Sequence, residues 1–347
     1  MNSISHAVLP SLSALYGAVT QTRLAAYNRG LLRVTKLAAP VISIGNLTTG
    51  GTGKTPLVEW VSRTLARKQR RRVCILTRGY GRPDPRSRVV VSDGSTVLTN
   101  ATEAGDEPFL LAQNLRGIAA VISDPNRIAA GRWAIDNLGA EVFVLDDGFQ
   151  HLALARDLNI LTIDATNPWG GEKLLPAGSL REPRSGLSRA DCVIVTRAYQ
   201  SDELVSLEAE IRRLIGSRPV VTSEMIIKGI SRMKSERREG LVSLPQPAAA
   251  FCAVGNPESF FKLLRREGID LVFTRAFPDH YQYTQADVDS LTQKSRQVGA
   301  RSIITTAKDA VKLQPSKFEL PCYVMHIEIS IGDEDRIIQM VDAATTE

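Results

Sequence analysis

The sequence predicts an α/β protein: a mostly parallel sheet with helices on both faces, followed by a second, smaller α/β unit. Three observations predict it. Short β-branched runs alternate with helical stretches along most of the chain. Most of these runs are apolar on consecutive residues, the pattern of strands covered on both faces. A glycine-rich segment joins the first such strand to the first helix after it. With 347 residues, 43% hydrophobic and 5% aromatic, the chain is long enough for about two domains of ~150 residues each. Its 25 Gly and 17 Pro are spread along the chain, which excludes collagen-like, disordered and coiled-coil classes.

Residues 1–39 come first and carry no acidic residue, while Arg23, Arg29, Arg33 and Lys36 supply positive charge. The opening MNSISH lacks the basic region of a secretory signal, and no apolar run approaches the ~20 residues of a membrane span. Leu12, Leu15, Tyr16 and Val19, then Leu24, Tyr27 and Leu31, approximate an apolar helical stripe interrupted by Arg23. Two readings remain open: an amphipathic helix packed on its own domain, or one lying in a membrane interface with its basic residues on anionic lipid.

From residue 40 the runs VISIGN, RRVCILT, AAVIS, EVFVLDD, LNILTID, DCVIVT and PVVTSE read as strands, with helices over 56–68, 106–116 and 127–138 among the segments between them. Residues 226–247 break this rhythm with the charged turn SERREG and then LPQP, which places a domain boundary between 40–225 and 226–347. Beyond it follow AAAFCAV, the helix PESFFKLLRREG, LVFTRAF, a helix over 285–298, SIITTA, CYVMHIEI and a closing helix over 334–344. Cys74, Cys192, Cys252 and Cys322 lie far apart within apolar runs, which reads as four buried thiols in a reducing compartment.

The segment from Val41 to Pro56, VISIGNLTTGGTGKTP, carries the strongest local signal. A buried strand runs into glycines that let the backbone turn its N–H groups toward one point, and Pro56 suits a first helical turn. Such a loop, made here by Thr48, Thr49, Gly50, Gly51, Thr52, Gly53, Lys54 and Thr55, cradles nucleotide phosphates. Lys54 would reach the β- and γ-phosphates, and the Thr55 hydroxyl would sit on Mg²⁺. Thr48 stands where the general phosphate-loop pattern has glycine. VFVLDD supplies the partner signal, a buried strand delivering Asp146 and Asp147 to the Mg²⁺ shell. The expected fold is therefore P-loop NTPase-like, with ATP and Mg²⁺ as cofactors.

The acceptor is less plainly written. Asp106-Glu107-Pro108 opens a helix, where acids complement the dipole, so Asp106 reads either as a cap or as a base for an acceptor hydroxyl. His151 and His280 stand in DDGFQH and FPDHYQYT; His280 follows a predicted strand at a loop, and a pair built from Asp106 and His280 could raise the basicity available to a sugar hydroxyl. The net charge of +6 favours an anionic partner. Residues 63–88 contain ten Lys or Arg and one acid, Asp84. Most of these read as a solvated face, with Arg78 and Arg82 around Gly79-Tyr80-Gly81 the better candidates for an anionic ligand. No nucleic-acid-binding module is recognisable.

Taken together and in order, IGNLTTGGTGKTP, LTRGYGR, GDEP, DPNR, LDDGFQH, LLPAGSLREP, AVGNPESFF, FPDHYQYT and TTAKDAVKL resemble the tetraacyldisaccharide 4′-kinases, the lipid A 4′-kinases of Gram-negative bacteria. The resemblance runs from about residue 40 to 313, with a compatible helix before it, and in that family the position of Thr48 is likewise not glycine. It implies transfer of the ATP γ-phosphate to the 4′-hydroxyl of an acylated glucosamine disaccharide 1-phosphate, giving lipid IVA. The implied location is peripheral, at the cytoplasmic face of the inner membrane among its surface lipids, with no obligate protein partner. Carried over by position, Lys54 and Thr55 bind phosphate and Mg²⁺, Asp146 and Asp147 belong to the metal and catalytic region, and Asp106 with His280 forms the base pair. Glu107, Gln150 and His151 become nearby polar groups, and Tyr80, Arg127 and Arg181 candidates for nucleotide or substrate contact. A regulatory or metallochaperone-type switch NTPase, or a kinase or ligase of a soluble acid, would use the same phosphate loop but leaves the basic, apolar N-terminal segment without a purpose.

Overall fold

The computed structural model describes residues 3–235, 237–313 and 316–346, with side chains from residue 9 onward. Met1 and Asn2 of MNSISH and Glu236 of the SERREG turn lie outside the described residues. In chain order the elements are α1 (Ser3–Asn28), β1 (Val41–Asn46), α2 (Lys54–Lys68), β2 (Val73–Thr77), β3 (Val89–Ser92), α3 (Ala101–Ala104), α4 (Asp106–Asn114), β4 (Ala119–Ser123), α5 (Arg127–Leu138), β5 (Val142–Asp146), β6 (Leu158–Asp164), β7 (Cys192–Thr196), α6 (Leu204–Ile215) and β8 (Val220–Arg232). Then come β9 (Arg238–Glu239), β10 (Ala248–Cys252), α7 (Pro257–Arg266), β11 (Leu271–Ala276), α8 (Gln285–Gln297), β12 (Ser302–Thr306), α9 (Ala307–Ala310), β13 (Cys322–Ile331) and α10 (Glu334–Thr345).

The strands join in one sheet ordered β11-β10-β12-β13-β8-β7-β6-β1-β5-β2-β4-β3, with β9 beside β8. Pairing is parallel within each half and antiparallel at the edge pair β3/β4, at β8/β9 and where β8 meets β13. Strands β1, β2, β4, β5 and β7 are buried at every residue, as their uninterrupted apolar runs require. On one face Leu57, Val58, Val61 and Leu65 of α2 and Leu111 of α4 pack on Ile42, Ile44, Ile75 and Val144. On the other, Ala130 and Ala134 of α5 meet Val41, Leu76, Phe143 and Leu145. A mostly parallel sheet covered on both faces is therefore the architecture. All four cysteines are free and buried.

The boundary expected between residues 225 and 226 falls inside β8. The first residues of that strand pair in parallel with β7, and residues 223–232 pair antiparallel with β13, so one strand serves both halves of the sheet. The closing helix α10 returns to the first half: Gln69 Nε2 donates to Asp342 Oδ1 at 2.6 Å and Arg71 Nη2 to the Thr345 carbonyl at 3.0 Å.

Helix α1 docks by its small and polar side. Ser13 Oγ donates to the Leu174 carbonyl and accepts from Ala177 N, both at 3.0 Å, and the Tyr16 hydroxyl donates to the Arg181 carbonyl at 2.9 Å. Gly17 faces Leu174 so closely that a Cβ there would lie 2.7 Å from Cδ1. Leu12, Leu15 and Val19 point to solvent, 45%, 62% and 60% exposed, and Leu31, Leu32 and Val34 continue the exposed apolar surface. Among the described residues no helix is long and apolar enough to cross a membrane.

Candidate active site

A cleft of about 1170 Å³ opens over the C-terminal ends of the central strands, lined by residues of α1, the loop before α2, the end of β5, α4 and the second half of the sheet. Thr49 through Thr55 form part of its wall. Gly50 and Gly53 adopt φ of +113° and +80°, conformations that favour glycine, and α2 starts at Lys54 with no side chain capping its first N–H groups. Those free donors and the positive end of the helix dipole point at one place, the arrangement that holds phosphate.

The loop is fastened on several sides. Asn46 Nδ2 donates to Thr52 Oγ1 at 3.0 Å, Thr52 and Thr162 share a hydroxyl bond of 2.8 Å, and Thr196 Oγ1 donates to the Thr52 carbonyl at 3.0 Å. Arg197 Nη2 reaches the Gly51 carbonyl at 2.8 Å. Thr48 lies off the main cleft, in an antiparallel bridge with Leu180, while Thr49 N donates to the Ser179 carbonyl at 2.7 Å. This extended pairing explains why a β-branched residue suits a position where other phosphate loops turn on glycine.

Strand β5 delivers its two acids with opposite charge behaviour. Asp146 is 2% exposed and accepts from Thr77 Oγ1 at 3.3 Å. Burial, then the neighbouring Glu107 and Asp147 carboxylates, push its carboxyl up to about 7. Asp147 is only partly buried, its side chain 34% exposed; the desolvation it does suffer would raise it, but Lys54 at 3.5 Å and Arg181 at 2.6 Å outweigh that and hold it down at about 2. Asp147 takes a φ of +55°, a conformation costing a non-glycine residue on the order of 1 kcal/mol. The strain turns its carboxylate toward Lys54. Asp146 Oδ1 and Asp147 Oδ1 are both buried without a hydrogen-bond partner. Asp146 Oδ1, without a hydrogen-bond partner, and Asp147 Oδ1, which meets only Lys54 at 3.5 Å, line the same cleft as Thr55 and form a donor set that fits Mg²⁺, which takes one or two carboxylates with the rest of its shell from phosphates and water.

Across the cleft, the first turn of α4 meets the loop after β11. His280 also has a positive φ, +59°, and its Nδ1 lies 3.5 Å from Asp106 Oδ2. The N-cap of α4 is Gly105 rather than Asp106, so Asp106 is not spent on capping and turns to the histidine instead. His280 lines the cleft; Asp106 stands behind it, off the wall. Tyr80, 74% exposed, holds its ring 6.1 Å from the imidazole at 39°. Glu107 is paired with Lys308 at 2.8 Å, and Lys308 also reaches Asp279 at 3.2 Å. Burial would raise the Glu107 carboxyl, but Lys308 and Lys54 bring it below its ordinary value.

Not every expected residue reaches the cleft. Gln150 lines it, yet its Nε2 is spent on the Asn46 carbonyl and on Glu182 Oε1, each at 2.8 Å, which makes it a strut. His151 and Arg127 lie behind the wall. Burial, then Arg127 and Arg156, lower His151 to about 4, so it is neutral near pH 7. Burial, then Arg78, lowers Arg127 to about 10. Arg181 does line the cleft and binds Asp147. Arg82 is buried and donates to the carbonyls of Gly79, Ser123 and Pro85, so it braces its own loop, while Arg78 stays exposed on the wall. Sequence reasoning missed Lys308, Lys312 and Asp309, although TTAKDAVKL offered the signal of two lysines one helical turn apart.

Residues 5–346 match the family model described as tetraacyldisaccharide-1-P 4′-kinase. The tetraacyldisaccharide 4′-kinase of Geobacter metallireducens is 41% identical over 97% of this chain and 97% of its own. That of Desulfotalea psychrophila is 38% identical over 94% of each. Among solved structures, LpxK from Aquifex aeolicus, crystallised in complex with ATP, superposes with a TM-score of 0.76 at 31% identity, covering 96% of this chain and 98% of the other.

Proposed function

The chain belongs to the tetraacyldisaccharide-1-P 4′-kinase family, and from that premise we propose how its cleft performs the transfer. It is an ATP-dependent kinase of lipid A biosynthesis, phosphorylating the 4′-hydroxyl of a tetraacyldisaccharide 1-phosphate to give lipid IVA. The observation that carries our reading is the position of His280, on the wall of the cleft that Lys54 also lines and backed by Asp106.

The half of the sheet before β8 carries the phosphate loop, and the half after it brings His280. Lys54 and the N-terminal N–H groups of α2 hold the β- and γ-phosphates, with Arg181 balancing Asp147. Thr55 and Asp146 would hold Mg²⁺, which supplies charge neutralisation on the phosphates. Asp106 accepts from His280 Nδ1, fixing the tautomer whose unprotonated Nε2, 4.0 Å from Asp279 Oδ2, receives the proton. The 4′-hydroxyl gives its proton to Nε2 as its oxygen bonds to the γ-phosphorus, and the bond to the bridging oxygen of ADP breaks. A separation of 3.5 Å between Nδ1 and the carboxylate is long for a hydrogen bond, and such bonds tighten when substrate binds. Asp106 thus acts through His280 rather than on the hydroxyl itself. Tyr80, exposed beside His280, offers an aromatic face to the sugar.

The finer location is read from α1. Leu12, Leu15, Val19 and Leu31 form an outward apolar surface with Arg23, Arg29 and Arg33 near it, the chemistry of a helix seated in the anionic cytoplasmic face of the inner membrane. The test is to incubate the purified chain with labelled ATP, Mg²⁺ and either the acylated disaccharide 1-phosphate or its deacylated sugar. Label is expected on the 4′-oxygen, faster with the acylated acceptor. Hydrolysis without transfer, accelerated by a protein partner, would overturn the reading in favour of a switch NTPase.

A further inference from the structure

The acceptor side of the cleft contains a crowd of carboxylates. Asp106, Glu107, Asp279 and Asp309 stand close together, and partly buried carboxylates at such spacing repel one another unless cations balance them. Two lysines of one short stretch balance them. β12 ends at Thr306, α9 follows, and Lys308 and Lys312 are one helical turn apart.

Each lysine faces one of the two adjacent acids at the start of α4. Lys308 Nζ lies 2.8 Å from Glu107 Oε1, and Lys312 Nζ lies 3.9 Å from Asp106 Oδ2. Each is also tied to the smaller unit, Lys308 to Asp279 at 3.2 Å and Lys312 to Asp309 at 3.3 Å. The Lys312 side chain is 2% exposed, and its ammonium sits 5.3 Å from the centre of the Tyr283 ring. Asp309 is itself fixed by the Tyr283 hydroxyl at 3.0 Å and by Ala253 N at 3.1 Å. Burial would lower Lys308, but Glu107 and Asp279 overcompensate and raise it, so it stays charged.

The contacts close a ring. Asp106 and Glu107 are neighbours on α4, and Asp279 and His280 are neighbours on the loop. One bond, Asp106 to His280, joins the two segments directly; the other runs from Glu107 through Lys308 to Asp279. Sliding the loop along α4 would break both.

We propose that Lys308 and Lys312 are positioning residues that latch the first turn of α4 to the loop holding His280 and so set the geometry of the Asp106–His280 pair. The latch rests on the reading of His280 as the proton acceptor. It acts through Glu107, Asp279 and Asp106, and therefore governs the chemical step rather than ATP affinity.

The test uses the full chain with ATP, Mg²⁺ and the tetraacyldisaccharide 1-phosphate in detergent micelles. Lys308→Met and Lys312→Met keep length and remove charge. Each is expected to lower kcat about 10- to 100-fold, as an ångström of misplacement does, with KM for ATP within about twofold of the parent. Lys308→Arg should recover most of the rate. Lys308→Met combined with Asp279→Asn should be no slower than Lys308→Met alone, because both remove the same link. Parental kcat in a folded Lys308→Met chain, a raised KM for ATP with kcat intact, or multiplying effects in the double variant would each overturn the latch. Should Lys312→Met fail to fold, the Lys308 series decides. His280→Ala separates the two claims: if it keeps the parental rate, the proton-acceptor reading itself fails. If it is inactive while Lys308→Met is normal, only the latch fails.

Discussion

The two sides of the cleft are built in opposite ways. On the donor side, one continuous stretch from Asn46 to Thr55 supplies the phosphate loop, and its conformation follows from its own glycines and from threonines fastening it to the strand ends. On the acceptor side no stretch is sufficient. Asp106 and Glu107 come from α4, His280 from a loop 174 residues later, and the lysines from α9 and the turn after it. A local motif can hold a nucleotide alone; the proton acceptor exists only when distant segments meet.

The largest expected effect is on the donor side. Lys54→Ala removes the cation on the β- and γ-phosphates and frees Asp147 to repel them; a fall in kcat/KM of about 10³-fold or more is expected in the lipid phosphorylation assay. A smaller loss would mean that Arg181 carries the phosphate charge. The delivery of acceptor should respond separately. Replacing Leu12, Leu15 and Val19 together by serine is expected to weaken binding to anionic vesicles by about tenfold or more. Flotation or sedimentation with vesicles reads this, and KM for ATP should stay unchanged. Unchanged vesicle binding would show that the outward face of α1 is not the contact.

The Mg²⁺ requirement should depend on pH through Asp146. Its carboxyl, held near 7, must ionise to bind the cation, so the half-saturating Mg²⁺ concentration should fall as pH rises from 6 to 8, by up to about tenfold per unit below 7. Asp146→Asn should abolish turnover, and Mg²⁺ binding to it, measured directly by calorimetry, should show a flatter pH slope than the parent.

The smallest effect concerns the contact between the helices that open the two sides. Asn114 of α4 donates to Glu59 of α2 at 2.7 Å. Burial raises the Glu59 carboxyl from 4.5 to about 7. The folded chain therefore holds a proton that the unfolded chain has released, and stability should fall as pH rises across that interval and level off above it. Thermal melts of Glu59→Gln in metal-free buffer should show a flatter decline than the parent over the same interval. An identical slope would remove Glu59 from the account.

What could be read in the sequence follows the same division. The strands buried on both faces and the loop from 45 to 55 were legible because consecutive residues determine them. The break expected at 225/226 rested on the charged SERREG turn and LPQP, which follow a strand rather than end a domain. β8 runs from Val220 through that point to Arg232 and changes partner along the way, from β7 to β13. Apolar periodicity found the stripe on α1 but not its direction, because the docking side is made by Ser13 and Gly17, small residues that such patterns do not weigh, together with Tyr16, which leaves the stripe to reach the Arg181 carbonyl. Arg127 and His151 were chosen for their chemistry, and only the folded packing shows their depth. Lys308 and Lys312 escaped notice because a lysine pair on a short turn looks like solvated surface until the acids it faces arrive from 200 residues away.

His280 takes the proton while the phosphate loop works independently. The most direct measurement is single-turnover transfer from pre-bound ATP by His280→Ala, with ATP affinity measured on the same preparation. The prediction is parental ATP binding with transfer slowed by about 10²- to 10³-fold. Transfer at the parental rate would contradict it.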